Sequence, residues 1–191
     1  MDRIENAKML LQRVGKINLG FYPTPLQRLD RISNEYEINL YAKREDFSGM
    51  TLFGGNKIRK LEYLLNDAKN KGCDTVFTYG ATQSNHAMET ATAVRKCGMT
   101  PVLYLAAHVN PDAADIRANL LLDTILGAEI HILPANGRST KDTIQASTAD
   151  IAEHIARLQQ EGHKVYDIPV GGSTPHGVCG FADAYIELMQ Q

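Results

Sequence analysis

Short β-rich runs alternate with longer amphipathic ones along most of this chain. The runs Leu40–Lys43, Thr75–Tyr79, Pro101–Ala106, Glu129–Leu133 and Lys164–Val170 read as strands. Between them the apolar spacing predicts helices, most of them closed by a glycine. Lys57 to Lys71 stops at Gly72, and Asn85 to Cys97 stops at Gly98. A third helix is expected from Asp112 to Leu126, with Asn110 as its cap, Pro111 at its first position and Gly127 behind it. A fourth, Thr140 to Glu161, ends at Gly162 and places Ile144, Ile151, Ile155 and Leu158 on one stripe. A last helix is expected over Pro175–Gln191. Strand–helix alternation of this kind predicts an α/β fold of successive βαβ units on a parallel sheet. Such sheets bind ligands at the carboxyl ends of their strands.

The ends differ from the middle. Residues 1–46 read as one strand and a Pro-rich turn, Pro23-Thr24-Pro25, and residues 164–191 start a unit whose helix is where the sequence stops. The expected division is therefore a complete small α/β domain at 47–163, with 1–46 and 164–191 as pieces of a second domain. An unfinished unit around Lys164–Val170 is expected to expose an apolar strand and favour self-association.

Composition narrows the function. The 191 residues carry 20 basic and 22 acidic side chains, a net charge of −2. Neither a nucleic acid nor an anionic membrane is indicated as partner, since each asks for a basic excess. Three cysteines, Cys73, Cys97 and Cys179, form no CxxC pair, so neither a disulfide framework nor a zinc clip is expected. The first ten residues include Asp2, Arg3, Glu5 and Lys8 and do not read as a secretory signal. No apolar run approaches the ~20 residues that span a bilayer. The expected setting is cytoplasmic.

Lys57 is the odd residue of its helix. On a wheel of about 100° per residue with Lys57 set at zero, Leu64 falls near −20°, Ala68 near 20° and Leu61 near 40°. Lys57 thus sits within the apolar stripe, while Arg59 and Glu62 fall on the far side. It also occupies the first helical turn, where free N–H groups carry partial positive charge. Burial, the dipole and the neighbouring Arg59 and Lys60 all favour the neutral amine. A neutral amine attacks carbonyls to form a Schiff base. A first-turn lysine can equally leave the core and snorkel to water.

Two further segments lie where strands run into helices. Tyr79-Gly80-Ala81-Thr82-Gln83-Ser84-Asn85-His86 follows a strand, and the helix opening at Ser84 offers N–H groups suited to a carboxylate. Ser84 can also be a plain N-cap and His86 a surface histidine; a second helical His for zinc is lacking. Val170-Gly171-Gly172-Ser173-Thr174-Pro175 could cup an anion or form an ordinary turn. Gly49 and Gly54 have the gap of a phosphate loop, but Gly55 and Asn56 follow instead of Lys and Ser or Thr, so no nucleoside-triphosphate site is supported.

Taken together, Lys43-Arg44-Glu45-Asp46, Gly54-Gly55-Asn56-Lys57-x-Arg59-Lys60-Leu61-Glu62, Gln83-Ser84-Asn85-His86 and Gly171-Gly172-Ser173 resemble the D-cysteine desulfhydrase / 1-aminocyclopropane-1-carboxylate (ACC) deaminase family. Pro23-Thr24-Pro25-Leu26 matches the family's entry segment. The resemblance implies a tryptophan-synthase-β-like fold, pyridoxal-phosphate fold type II, with helices on both faces of a parallel sheet in three layers. It implies pyridoxal 5′-phosphate as cofactor and a small amino acid as substrate. By the same resemblance Lys57 is the catalytic lysine that bonds the cofactor and moves the Cα proton, and Asn85 holds the cofactor's 3′ oxygen. Ser84, also catalytic, grips the substrate carboxylate with Gln83, and His86 completes the substrate-binding set. No metal is implied. The implied reaction is β-elimination from D-cysteine to pyruvate, ammonia and sulfide; the alternatives are ACC deamination and a non-catalytic remnant. Met88 stands where the family commonly has a basic residue, and Phe181 where a tyrosine often follows the glycines. Family members are longer, and their C-terminal part holds the cofactor phosphate; this chain is expected to be a truncated form, with a homodimer expected at full length.

Overall fold

The computed structural model describes residues 3–49, 54–109, 111–112 and 116–191. The chain runs α1 (Arg3–Val14), β1 (Leu26–Arg28), α2 (Asp30–Glu35), β2 (Tyr41–Lys43), α3 (Lys57–Asn70), β3 (Thr75–Ala81) and α4 (Asn85–Lys96). It continues through β4 (Thr100–Ala107), α5 (Ala118–Ile125), β5 (Glu129–Pro134), α6 (Thr140–Ala146), α7 (Thr148–Gln160), β6 (Val165–Ile168) and α8 (Pro175–Leu188). Strands β5, β4, β3 and β6 lie side by side in that order, all parallel. The register pairs Tyr79 with Tyr104, Leu103 with Ile130 and Thr75 with Val165.

Period-two alternation sorts the strand side chains into two cores. On one face Val76 and Ile168 pack with Leu61, Leu64 and Leu65 of α3 and Val94 of α4, and Leu103 and Leu105 pack with Ala87, Ala91 and Leu120. On the other, Phe77, Tyr79, Val102 and Tyr104 meet Ile151 of α7, with Ile144, Ile155 and Leu158 around them. These are the three expected layers: helices, parallel sheet, helices. Strand β6 is hydrogen-bonded to β3 in this sheet, although its sequence reads as the opening of a separate unit. The segments before residue 47 and after 163 also meet each other, because Thr24, Lys43 and Glu45 converge with Glu187 of α8 on Arg59 of α3.

Four expectations are corrected. The span Leu40–Lys43 is not a lone strand: β2 pairs antiparallel with β1, the short helix α2 connects them, and a 3₁₀ turn at Glu45–Phe47 follows. The helix expected from Asp112 begins at Ala118, with Pro111 and Asp112 outside it; Asn110 lies outside the described residues. The Thr140–Glu161 helix divides at Ser147, whose φ of −100° and ψ of 11° end α6 and open α7. Thr148 Oγ1 bonds back to the Gln145 carbonyl at 2.7 Å, the local competition by which consecutive Ser and Thr interrupt a helix. Arg59 and Glu62 do not face water, since α8 and the 16–24 segment cover that side of α3 and leave each 2% exposed. Among the described residues, no helix is long and apolar enough to cross a membrane.

Candidate active site

The carboxyl ends of β3 and β6 and the first turn of α3 converge, and the sequence dictates each piece. Gly80 permits the turn after β3, because a Cβ there would lie 2.6 Å from Ser84 Oγ. Ser84 is the N-cap of α4: its backbone is extended and its Oγ accepts from Ala87 N–H at 3.2 Å. The N–H groups of the residues just inside the cap have no acceptor within the helix, which leaves them directed at an anion. Beyond β6, Gly171 and Gly172 take φ of 68° and 61°, and Thr174 caps α8 by accepting from Gly177 N–H at 3.1 Å.

Lys57 is the first residue of α3 and is half-buried. Its Nζ donates to Asn56 Oδ1 at 3.2 Å, and among the described residues no carboxylate pairs with it. Its charge reaches α4: it helps to depress His86 and opposes the rise of Glu89. Among the described residues no hydrogen bond joins Lys57 to Gln83, Ser84 or Asn85. Lys60, one turn on, donates to the Gly171 carbonyl at 2.9 Å and thereby ties α3 to the glycine turn. Burial, then the charge of Lys57, lowers the Lys60 pKa. The Phe181 ring lies under its Nζ at 5.4 Å.

Gln83 and Asn85 are exposed and share Asn119 as a partner, and Gln83 Nε2 also donates to the Arg117 carbonyl at 3.3 Å. Asn119 Nδ2 donates to the Gln83 carbonyl at 3.1 Å and to Asn85 Oδ1 at 2.7 Å, while Asn119 N–H donates to Gln83 Oε1 at 3.0 Å. A cleft of about 390 Å³ lined by Thr82, Gln83, Val109 and Arg117 opens beside this loop. His86 is neither a surface residue nor part of that opening. Its ring is 5% exposed, with Nε2 3.0 Å from Thr78 Oγ1. The Thr78 proton goes to the Ile168 carbonyl, so Nε2 is the donor of this pair. Burial first, then Lys57 and Lys60, pushes the ring down to about 4, which keeps it neutral. Met88, at the position where a basic side chain is common, is buried.

Glu89 escaped the sequence reading. It is 2% exposed, and its Oε2 accepts from Ile58 N–H at 3.1 Å. Asn56 supplies no side-chain cap to α3, so the Glu89 carboxyl of α4 accepts there across the helix pair. Gly55 makes the room, since a Cβ there would stand 2.2 Å from Glu89 Oε1. Burial still pushes Glu89 up to about 7, against Lys57 and the N–H groups of Ile58 and Lys57. A signal existed: Glu89 is the one acidic residue in the stretch Asn85–Val94.

The sequence profile of the family described as "Pyridoxal-phosphate dependent enzyme" matches residues 17–191. The chain belongs to this family. Pyridoxal phosphate is the cofactor of this family of enzymes, and the donors present fit part of it: a primary amine without a carboxylate partner, beside a capped helix N-terminus. A Pyrococcus abyssi protein provisionally named ACC deaminase is 42% identical over 183 residues, 95% of this chain and 52% of its own length. The D-cysteine desulfhydrase of Klebsiella pneumoniae is 34% identical over 184 residues, 95% of this chain and 53% of its own length. Among solved structures, an ACC deaminase homologue superposes with a TM-score of 0.84 at 38% identity, covering 100% of this pyridoxal-phosphate family member and 55% of that chain. The chain spans about half the length of the curated relatives it matches. That match carries the fold expectation: this is the fold-type-II architecture.

Proposed function

We propose that this chain carries the lysine-bearing half of a pyridoxal-phosphate lyase that acts on a small amino acid, with β-elimination from D-cysteine as its reaction. The observation that carries the reading is the Lys57 amine at the first turn of α3, in no ion pair with a described carboxylate, on the helix that packs against α4. When bound, the cofactor supplies an electron sink for the charge left at Cα. Lys57 holds the cofactor aldehyde and takes the Cα proton. Ser84 and the free N–H groups after it orient the substrate carboxylate, and Asn85, steadied by Asn119, bonds the cofactor's 3′ oxygen. Gln83 helps to position the substrate, and His86 supports the loop from beneath as a neutral donor to Thr78.

ACC deamination is the second reading, favoured by the higher identity to proteins so named. The substrates differ in one decisive respect. D-Cysteine has a Cα–H that one base can remove, whereas the ring carbon of ACC has none. Lys57 alone suffices to start the first reaction and does not suffice for the second. Two measurements test the reading: the absorption spectrum with added pyridoxal phosphate, and release of pyruvate and sulfide from D-cysteine beside 2-oxobutyrate from ACC. A new band near the visible edge that Lys57→Ala loses supports the assignment, and pyruvate with sulfide supports the substrate. Identical spectra for the two proteins would favour a non-catalytic remnant.

A further inference from the structure

A second cluster lies on the face of the sheet opposite α3 and Lys57, where His131 stands in register with Tyr104. Glu129 and His131 alternate on β5 and point to the same face, where α7 brings His154 against them. Glu129 Oε1 is 2.7 Å from His131 Nε2 and 3.4 Å from His154 Nε2, and the three ligand atoms all lie within 4.8 Å of one another. We propose that Glu129, His131 and His154 form a binding site for a divalent transition-metal ion of the zinc type.

Three features support this assignment. His154 is 7% exposed, yet its Nε2 has no hydrogen-bond partner and is directed at the Glu129 carboxylate. A buried, unsatisfied nitrogen is costly unless something occupies the position in front of it. The ring is also fixed from behind: Nδ1 is 2.8 Å from Tyr104 Oη, and the edge of the ring meets Phe77 at 5.2 Å. In the tautomer whose Nδ1–H donates to Tyr104, the lone pair sits on Nε2, the arrangement that orients metal-binding histidines. Tyr104 stacks flat on His131 as well, at 4.3 Å and 7°. One tyrosine therefore positions both imidazoles.

The spacing suits zinc. Bonds of about 2.0–2.1 Å in a tetrahedron separate ligand atoms by roughly 3.3–3.4 Å. The Glu129–His154 distance already has this value. The Glu129–His131 pair must open by about 0.6 Å on the same ligand geometry, and the exposed Glu129 side chain can turn to do so while Tyr104 holds His131. Two imidazoles and a carboxylate suit zinc, nickel or cobalt over calcium or magnesium, which prefer all-oxygen sets. The fourth position opens on a cleft of about 610 Å³ lined by Asp150, Glu153 and Arg157, leaving it to water. The ion would clip edge strand β5 to α7.

Equilibrium dialysis and calorimetry with Zn²⁺ on the tag-free chain test the site, with Co²⁺ substituted to read coordination from its visible spectrum. The expected result is one equivalent bound, a tetrahedral cobalt spectrum, and affinity at least 100-fold weaker in His131→Ala and in His154→Ala. Tyr104→Phe should weaken binding about 10–100-fold, and His163→Ala, at a surface histidine elsewhere, should leave it unchanged. No stoichiometric binding by the wild type would overturn the proposal. So would wild-type affinity in His131→Ala, a part-exposed position where folding is not at stake.

Discussion

Replacing Glu89 with glutamine removes one charge from beneath the first turn of α3 and leaves an oxygen to accept from Ile58 N–H. In the folded chain burial holds the Glu89 carboxyl up to about 7, against 4.5 ordinarily. Between these values the folded state keeps a proton that the unfolded state has lost, so raising the pH favours unfolding. The stability tied to this proton is fully present below pH 4.5 and is gone once the pH passes about 7. At 1.36 kcal/mol per pH unit, the interval corresponds to roughly 3 kcal/mol. Asp123 is likewise pushed up to about 7 by burial and steepens the curve of both proteins, so it cancels in their difference. Urea unfolding of wild type and Glu89→Gln at pH 4.5 and 7.5 should show the variant gaining roughly 3 kcal/mol on the wild type across the window. A difference constant to within about 0.5 kcal/mol would refute the claim that a buried, protonated Glu89 underlies α3.

Three further outcomes follow from the same geometry. Arg59 is buried between Glu45 at 2.6 Å and Glu187 at 2.9 Å, so Arg59→Ala should cost about 3–5 kcal/mol in urea unfolding by leaving Glu45 without a cationic partner and Glu187 with Lys43 alone. Gly180→Ala puts a Cβ 2.2 Å from the Arg59 carbonyl and must push α8 off α3; a loss of about 1–3 kcal/mol is expected, read as a lower urea midpoint at unchanged slope. Asn119→Ala frees the Asn85 side chain, while Gln83 keeps its bonds from the Asn119 N–H and to the Arg117 carbonyl; at about 1 kcal/mol for the lost Asn85 bond, pyridoxal phosphate should bind roughly 5-fold more weakly while the thermal midpoint hardly moves.

Much of this architecture is legible in the sequence because buried parallel strands leave strong signatures. The runs at Thr75 and Pro101 are largely apolar on both faces and that at Glu129 on one, and glycines close the helices between them. The stripe Ile144, Ile151, Ile155 and Leu158 is real, although the backbone breaks at Ser147, because α6 and α7 both pack onto Phe77 and Tyr104. The N-terminal elements were not legible. β1 and β2 are three residues each, too short for a period, and α1 buries none of its side chains. At the site, motif order located Lys57 and the 83–86 loop, whereas the helical wheel misplaced Arg59 and Glu62. A wheel assumes one wet face, and α3 has none along its middle turns, so its charges pair internally. Glu89, Asn119 and the Tyr104–His131–His154 group depend on contacts between distant segments, which local pattern does not report.

Lys57 as the residue that bonds the cofactor is the claim on which the functional reading stands. Borohydride reduction of the chain with one equivalent of pyridoxal phosphate, followed by peptide mass mapping, tests it directly. The expected result is a single reduced adduct on Lys57, saturating at one per chain and absent from Lys57→Ala. Label spread over the other lysines, at equal yield in both proteins, would contradict it.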